Sequence, residues 1–176
     1  FIGKSGDERL VPVLIHKSIS NNTSERCNFS LMNAMTMFKK DVLMSEFEKQ
    51  FDNPDVRYIN KENVRKTIEK AINSNAGKWT EYMENIIGAE TPKKRRIMSI
   101  RMSRNYCPPY YIPQIMDYIK TCTDPEVQTA IFESLGWRRC SYMAPRIAAF
   151  AKACSEDSKY PETVREEALK TYNRLK

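Results

Sequence analysis

A chain of 176 residues is long enough for one domain of ordinary size, and 41% hydrophobic with 29% charged residues fits a folded, soluble protein rather than a disordered one. No apolar run approaches the roughly 20 residues that a bilayer span needs. The net charge of +7 favours acidic partners, nucleic acid among them, without selecting one. Only five glycines occur and β-branched alternation is rare, so the chain reads as all-helical. It opens Phe1-Ile2-Gly3, with no Met and no signal peptide, and reads as a trimmed piece of something longer.

Taken in chain order, the tail of a helix ends near Gly3. Further helices are predicted over 8–19, 24–38, 40–51, 61–74, 78–88, 93–105, 111–122, 125–137, 143–155 and 161–175. The linkers are short and polar, as in Asn21-Asn22-Thr23 and Thr123-Asp124-Pro125, and the longest loop is 52–60. The most informative feature lies near the C-terminus. Residues 112–122 match 144–154 at an offset of 32. Pro113 and Pro145, Ile115 and Ile147, Lys120 and Lys152, and Cys122 and Cys154 are identical pairs, and Tyr118 faces Phe150. Leu10-Val11-Pro12-Val13-Leu14-Ile15 aligns with Tyr111 to Met116, and 127–135 with 164–172. These three second helices start with proline, whose missing donor would be unpaired in the first turn anyway. A recurrence of this length predicts a stack of about five helical pairs, one domain over 1–176 with no interior boundary.

The segment Gly3-Lys4-Ser5-Gly6-Asp7-Glu8-Arg9-Leu10-Val11-Pro12-Val13-Leu14-Ile15 resembles the inter-helix segment of HEAT-repeat proteins, particularly the phycobilisome-lyase-like class. Asp124-Pro125-Glu126-Val127 with Leu135-Gly136 resembles the first helix of that class. The resemblance implies a right-handed α-α superhelix, an armadillo-type solenoid. It departs at Cys107-Pro108-Pro109, one residue longer than its counterpart, and at loop 52–60. Such motifs specify fold and bring no catalytic residues with them.

The chain offers little chemistry of its own. His16 is the only histidine, and there is no G-x-S-x-G, P-loop or G-x-G-x-x-G. The acid pairs Glu46 with Glu48 and Glu166 with Glu167 fall on outward helical faces. No catalytic activity, cofactor or metal is expected. Among the five cysteines, Cys107 aligns with Cys140 and Cys122 with Cys154. Equivalent positions in packed helices lie roughly 10 Å apart, beyond disulfide reach. These four are expected reduced, buried and unpaired. The nine methionines read as an adaptable groove or, more simply, as packing between helices.

Sorting the turns is more informative. Turns inside a pair carry Lys78 and Trp79; Arg104, Tyr106, Tyr110 and Tyr111; and Trp137, Arg138, Arg139 and Tyr142. Turns between pairs carry acids, with Lys93-Lys94-Arg95-Arg96 as the exception. In a solenoid one rim would then be basic and aromatic. That rim is either solvated charge with aromatics lying over the open end of each pair, or an edge for an anionic ligand. The second helices are expected to line a concave face and to expose His16, Gln114, Asp117, Arg146 and Lys152, with Val13 and Ala149. The leading reading is a non-catalytic protein-interaction scaffold. Nucleic-acid or other polyanion binding through the basic aromatic edge is the alternative, at fold level similar to helical-repeat DNA glycosylases. An accessory module of a larger enzyme is a third.

Overall fold

The computed structural model describes residues 2–19, 25–51, 62, 65–66, 69, 73 and 80–176. The described side chains exclude those of residues 2, 19, 25–29, 51, 105 and 106. All regular structure among the described residues is helical. Two compact units form, Phe1–Lys78 and Trp79–Lys176.

In the first unit, α1 (Ile2–Ser5), α2 (Val11–Ile19), α3 (Glu25–Met35) and α4 (Lys40–Phe51) are described. Helix α2 packs against α3 and α4, and α1 against α3. The core is Val11, Leu14, Ile15, Met35, Phe38, Leu43 and Phe47. Gly3 is required where α1 meets α3, because a Cβ there would lie 2.7 Å from Ala34 Cα. Gly6 has φ 63°, the left-handed region that glycine enters without a steric cost, and it turns the chain out of α1. Residues 62, 65, 66, 69 and 73 are helical, with Lys66–Glu62 and Arg65–Glu69 ion pairs one turn apart.

The second unit contains α5 (residues 80–87), α6 (Lys93–Tyr106), α7 (Ile112–Thr121), α8 (Pro125–Leu135), α9 (Ala144–Glu156) and α10 (Glu162–Leu175). Helix α8 packs against α6, α7 and α10, and α10 against α9. The core runs through all of them, from Met83 and Ile86 to Val164, Ala168 and Leu175.

The recurrence in sequence is also a recurrence in local geometry. Helices α7 and α9 start after Tyr111 (φ −83°, ψ −13°) and Met143 (φ −80°, ψ −9°), each with proline in the first turn. One-turn 3-10 helices, Glu8–Leu10 and Pro109–Tyr111, lead into α2 and α7 and shorten the α-helical starts predicted at 8 and 111. Val11, Ile112 and Ala144 are buried, and so are Leu14, Ile115 and Ile147, then Ile15, Met116 and Ala148. The next position down the stripe is Ser18, Ile119 or Ala151. Ser18 tolerates burial because its hydroxyl donates to Leu14 O and Ile15 O.

Helices α8 and α10 share a further device. The Ser134 hydroxyl donates to Ile100 O of α6 (3.0 Å), and the Thr171 hydroxyl donates to Phe132 O of α8 (2.7 Å). Small hydroxyl residues at these aligned positions allow close helix approach while satisfying a buried polar group.

Helix α8 also shows how acids at helix starts are used. Asp124 accepts from Glu126 N (2.9 Å) and Val127 N (3.3 Å), capping two otherwise orphan donors. Lys93 Nζ sits 3.0 Å from Asp124 and 2.6 Å from Glu126. The Lys93 hydrogen bond holds the Asp124 carboxyl below its ordinary value, with the backbone donors adding to it. A carboxyl lowered in the fold contributes stability above its unfolded pKa and loses it as pH falls through the folded value. Thermal melts between about pH 5 and 2 are therefore expected to show a smaller acid-induced loss for Asp124→Asn than for the parent. Equal acid sensitivity would remove Asp124 from this role.

Candidate interaction edge

The turn from α8 to α9 alternates in exposure. Trp137 is 61% exposed, Arg138 is 9% exposed, and Arg139, Cys140 and Tyr142 are exposed while Ser141 and Met143 are buried. The alternation has one cause. Arg138 turns inward and donates from Nη1 to Cys107 O (2.6 Å) and from Nη2 to Ser103 O, the carboxyl end of α6. Its backbone is tied as well, by Arg138 N to Leu135 O (3.0 Å) and Ser141 N to Arg138 O (2.9 Å). The guanidinium thus satisfies Cys107 O, adds a second donor to Ser103 O, which also accepts from Cys107 N (3.0 Å), and meets the negative end of the α6 dipole. Burial lowers its proton affinity, an effect that Cys107 opposes.

This corrects the sequence reading of the edge at Arg138. Expected exposed beside Arg139, it is a structural anchor, because Cys107 O and Ser103 O converge at the end of α6 and both accept from its guanidinium. Tyr110 and Tyr111 also depart from a simple exposed edge. Both are half-buried with ring centroids 4.6 Å apart, and Tyr111 packs against the core. Burial, reinforced by Tyr111, raises the Tyr110 hydroxyl far above its ordinary value. Lys78, Trp79 and the Tyr106 side chain lie outside the described residues.

What remains at the surface is a compact group. The guanidinium of Arg104, from the last turn of α6, lies 5.0 Å over the Trp137 ring. This cation–π contact joins the end of α6 to the turn after α8. Arg139 and Tyr142 flank it in sequence, and Tyr142 is 49% exposed. The anchored Arg138 holds Trp137, Arg139 and Tyr142 on one short, hydrogen-bonded turn.

The helix faces named from sequence are exposed. His16 lies on α2 of the first unit; Gln114 and Asp117 on α7, and Arg146 and Lys152 on α9, belong to the second. Asp117 accepts from Lys120 at 2.6 Å, which together with Arg146 holds its carboxyl low. Lys152 pairs with Glu156 at 4.0 Å. Val13 is 50% exposed.

Lys93, Arg95 and Arg96 of the cationic run that broke the acidic turns have local partners. Lys93 pairs with Asp124 and Glu126, and Arg95 with Glu81 at 3.8 Å. Arg96 donates to Gly88 O, Thr91 O and the Tyr118 hydroxyl, closing the end of α5 as Arg138 closes α6. Sequence reasoning missed the role of the two inward arginines and the exposure of Met98 (57%) and Met102 (42%) on α6. The methionine stripe was legible, since Lys94, Met98, Arg101 and Met102 fall on one helical face.

The four described cysteines are free, but their exposure differs. Cys107 and Cys154 are buried, Cys122 is half-buried and Cys140 is exposed, against the expectation that all four are buried. Cys107 ends α6 beneath Arg138, whereas its aligned partner Cys140 lies on the solvent side of the turn. Burial raises the thiols of Cys107 and Cys154. A thiol reagent at neutral pH is expected to modify Cys140 first and to reach Cys107 and Cys154 only on unfolding; mass mapping of the labelled sites checks the order.

Among the described residues no group of three His, Cys, Asp or Glu is placed to hold a metal ion. No described helix is long and apolar enough to cross a membrane. No family model matches the chain, and no match is found to a curated protein or a solved structure.

Proposed function

We propose that this chain is a non-catalytic protein-interaction scaffold, built from HEAT-like helical pairs wound as a right-handed α-α superhelix. One observation carries the reading: α2, α7 and α9 bury the same positions from similar starts while what they expose varies, Val13, Gln114 and Arg146 at one aligned position. A constant inside with a variable outside is the economy of a repeat scaffold that reads partners with its surface. The Arg104–Trp137 pair with Arg139 and Tyr142 supplies residue types that dominate binding energy at interfaces, on a turn already ordered before binding. Withdrawal of Arg138 into the interior takes one cation from this edge and weighs against the polyanion reading.

Selection of binders from a displayed peptide library tests the proposal. Selected peptides are expected to lose about tenfold or more in affinity to Trp137→Ala. Failure to select any binder overturns the scaffold reading. So does tight duplex DNA binding whose log affinity falls linearly with log salt at about 0.9 per phosphate contact.

A further inference from the structure

The core-facing stripe of α6 is Ile97, Ile100 and Ser103. The opposite stripe is unusual for a helix surface. Met98 and Met102 stand 57% and 42% exposed, one turn apart, with exposed Lys94 one turn before and exposed Arg101 between them. They line an open groove of about 830 Å³ with Lys93, Ile97 and Glu126. Lys93 is committed to Asp124 and Glu126. Lys94 and Arg101 hold no ion pair among the described residues. The groove therefore offers an apolar floor and two available cations. The Met102 sulfur is held from one side by the Tyr82 hydroxyl, which donates to it at 3.7 Å.

We infer that this stripe is a docking groove for an acidic amphipathic helix. The floor calls for two apolar side chains four residues apart on a helix, about 6 Å along the axis, which is the spacing of Met98 and Met102 themselves. Methionine adapts its shape to such knobs without a fixed partner geometry. Lys94 and Arg101 are seven residues apart, so one cation precedes the floor and the other sits beside it between the two methionines, roughly 10 Å along the axis. Glu or Asp on both flanks of the incoming helix would meet them, which selects acidic over basic helices. This groove lies on a different helix face from the Trp137 turn, so the inference stands or falls apart from the edge.

The test uses the full chain and a fluorescein-labelled, Ala-based peptide of about 18 residues, long enough to hold a helix. It carries Leu at i, i+4 and i+7 with Glu on the flanks; a second peptide has Lys in place of each Glu. Anisotropy titration is expected to give micromolar binding of the Glu peptide and at least about tenfold weaker binding of the Lys peptide. Met98→Glu/Met102→Glu is expected to weaken the Glu peptide about tenfold or more, and Arg101→Glu to remove most of its preference over the Lys peptide. Equal binding of the two peptides, or binding unchanged by the methionine variant, overturns the inference. So does concentration-dependent dimerisation that the methionine variant abolishes, since the groove then seats a second copy. A Tm more than about 5 °C lower in Met98→Gln/Met102→Gln also overturns it, because the stripe would then be internal packing.

Discussion

Arg138→Glu is expected to destabilise the second unit by about 4 kcal/mol or more, whereas Arg139→Glu, one residue along, changes stability by about 0.5 kcal/mol or less. Two effects add in the Arg138 variant. Cys107 O and Ser103 O lose a charged donor, worth about 1.5–3 kcal/mol per charge-assisted bond. A carboxylate then takes the guanidinium's place among carbonyls at the negative end of α6. Arg138→Met separates the two effects. It removes the charged donor from Cys107 O and from Ser103 O, the latter keeping Cys107 N, without burying a like-signed charge, and its cost is expected near half that of the Glu variant. Arg138 Nε has no partner in the interior, so the parent arginine is itself imperfectly satisfied, and its removal costs less than a fully bonded guanidinium would. Denaturant titration of the three variants decides it. If Arg138→Glu matches Arg139→Glu, Arg138 is a surface charge and the anchored turn does not exist.

Phe132→Ala is the second large expected effect, a loss of about 3–5 kcal/mol. Phe132 is fully buried on α8, and its ring stacks on Phe150 of α9 with centroids 6.0 Å apart. Its carbonyl also receives the Thr171 hydroxyl of α10. Truncation leaves a cavity bounded by α8 and α9 and loosens the contact with α10. For a unit of this size each kcal/mol lowers Tm by about 4–8 °C. Thr171→Val, which removes only the hydroxyl at nearly constant shape, is expected to cost about 1 kcal/mol. A Phe132→Ala loss below about 1.5 kcal/mol would mean that α8, α9 and α10 do not share one rigid core.

Among the described residues, local pattern alone determined which segments are helical and which side of each helix is buried. Pro113 and Pro145 mark helix starts because proline fits the first turn, and the stripes Ile112-Ile115-Met116-Ile119 and Ala144-Ile147-Ala148-Ala151 follow from the 3.6-residue period. These features need no knowledge of distant residues. The edge was legible only in part. Trp137 and Arg139 are exposed, but nothing local separates Arg138 from Arg139, or Cys107 from its aligned Cys140. Those fates were decided by the carbonyl end of α6, whose Ser103 lies 35 residues before Arg138. A buried arginine is tolerated only where carbonyls converge, and that convergence exists only once α6 and α8 have packed. The same holds for Arg96, whose acceptors Gly88 and Thr91 and partner Tyr118 come together from both sides of it in sequence. Periodicity records a residue's position on its own helix; which helix end it meets is a property of the packed chain.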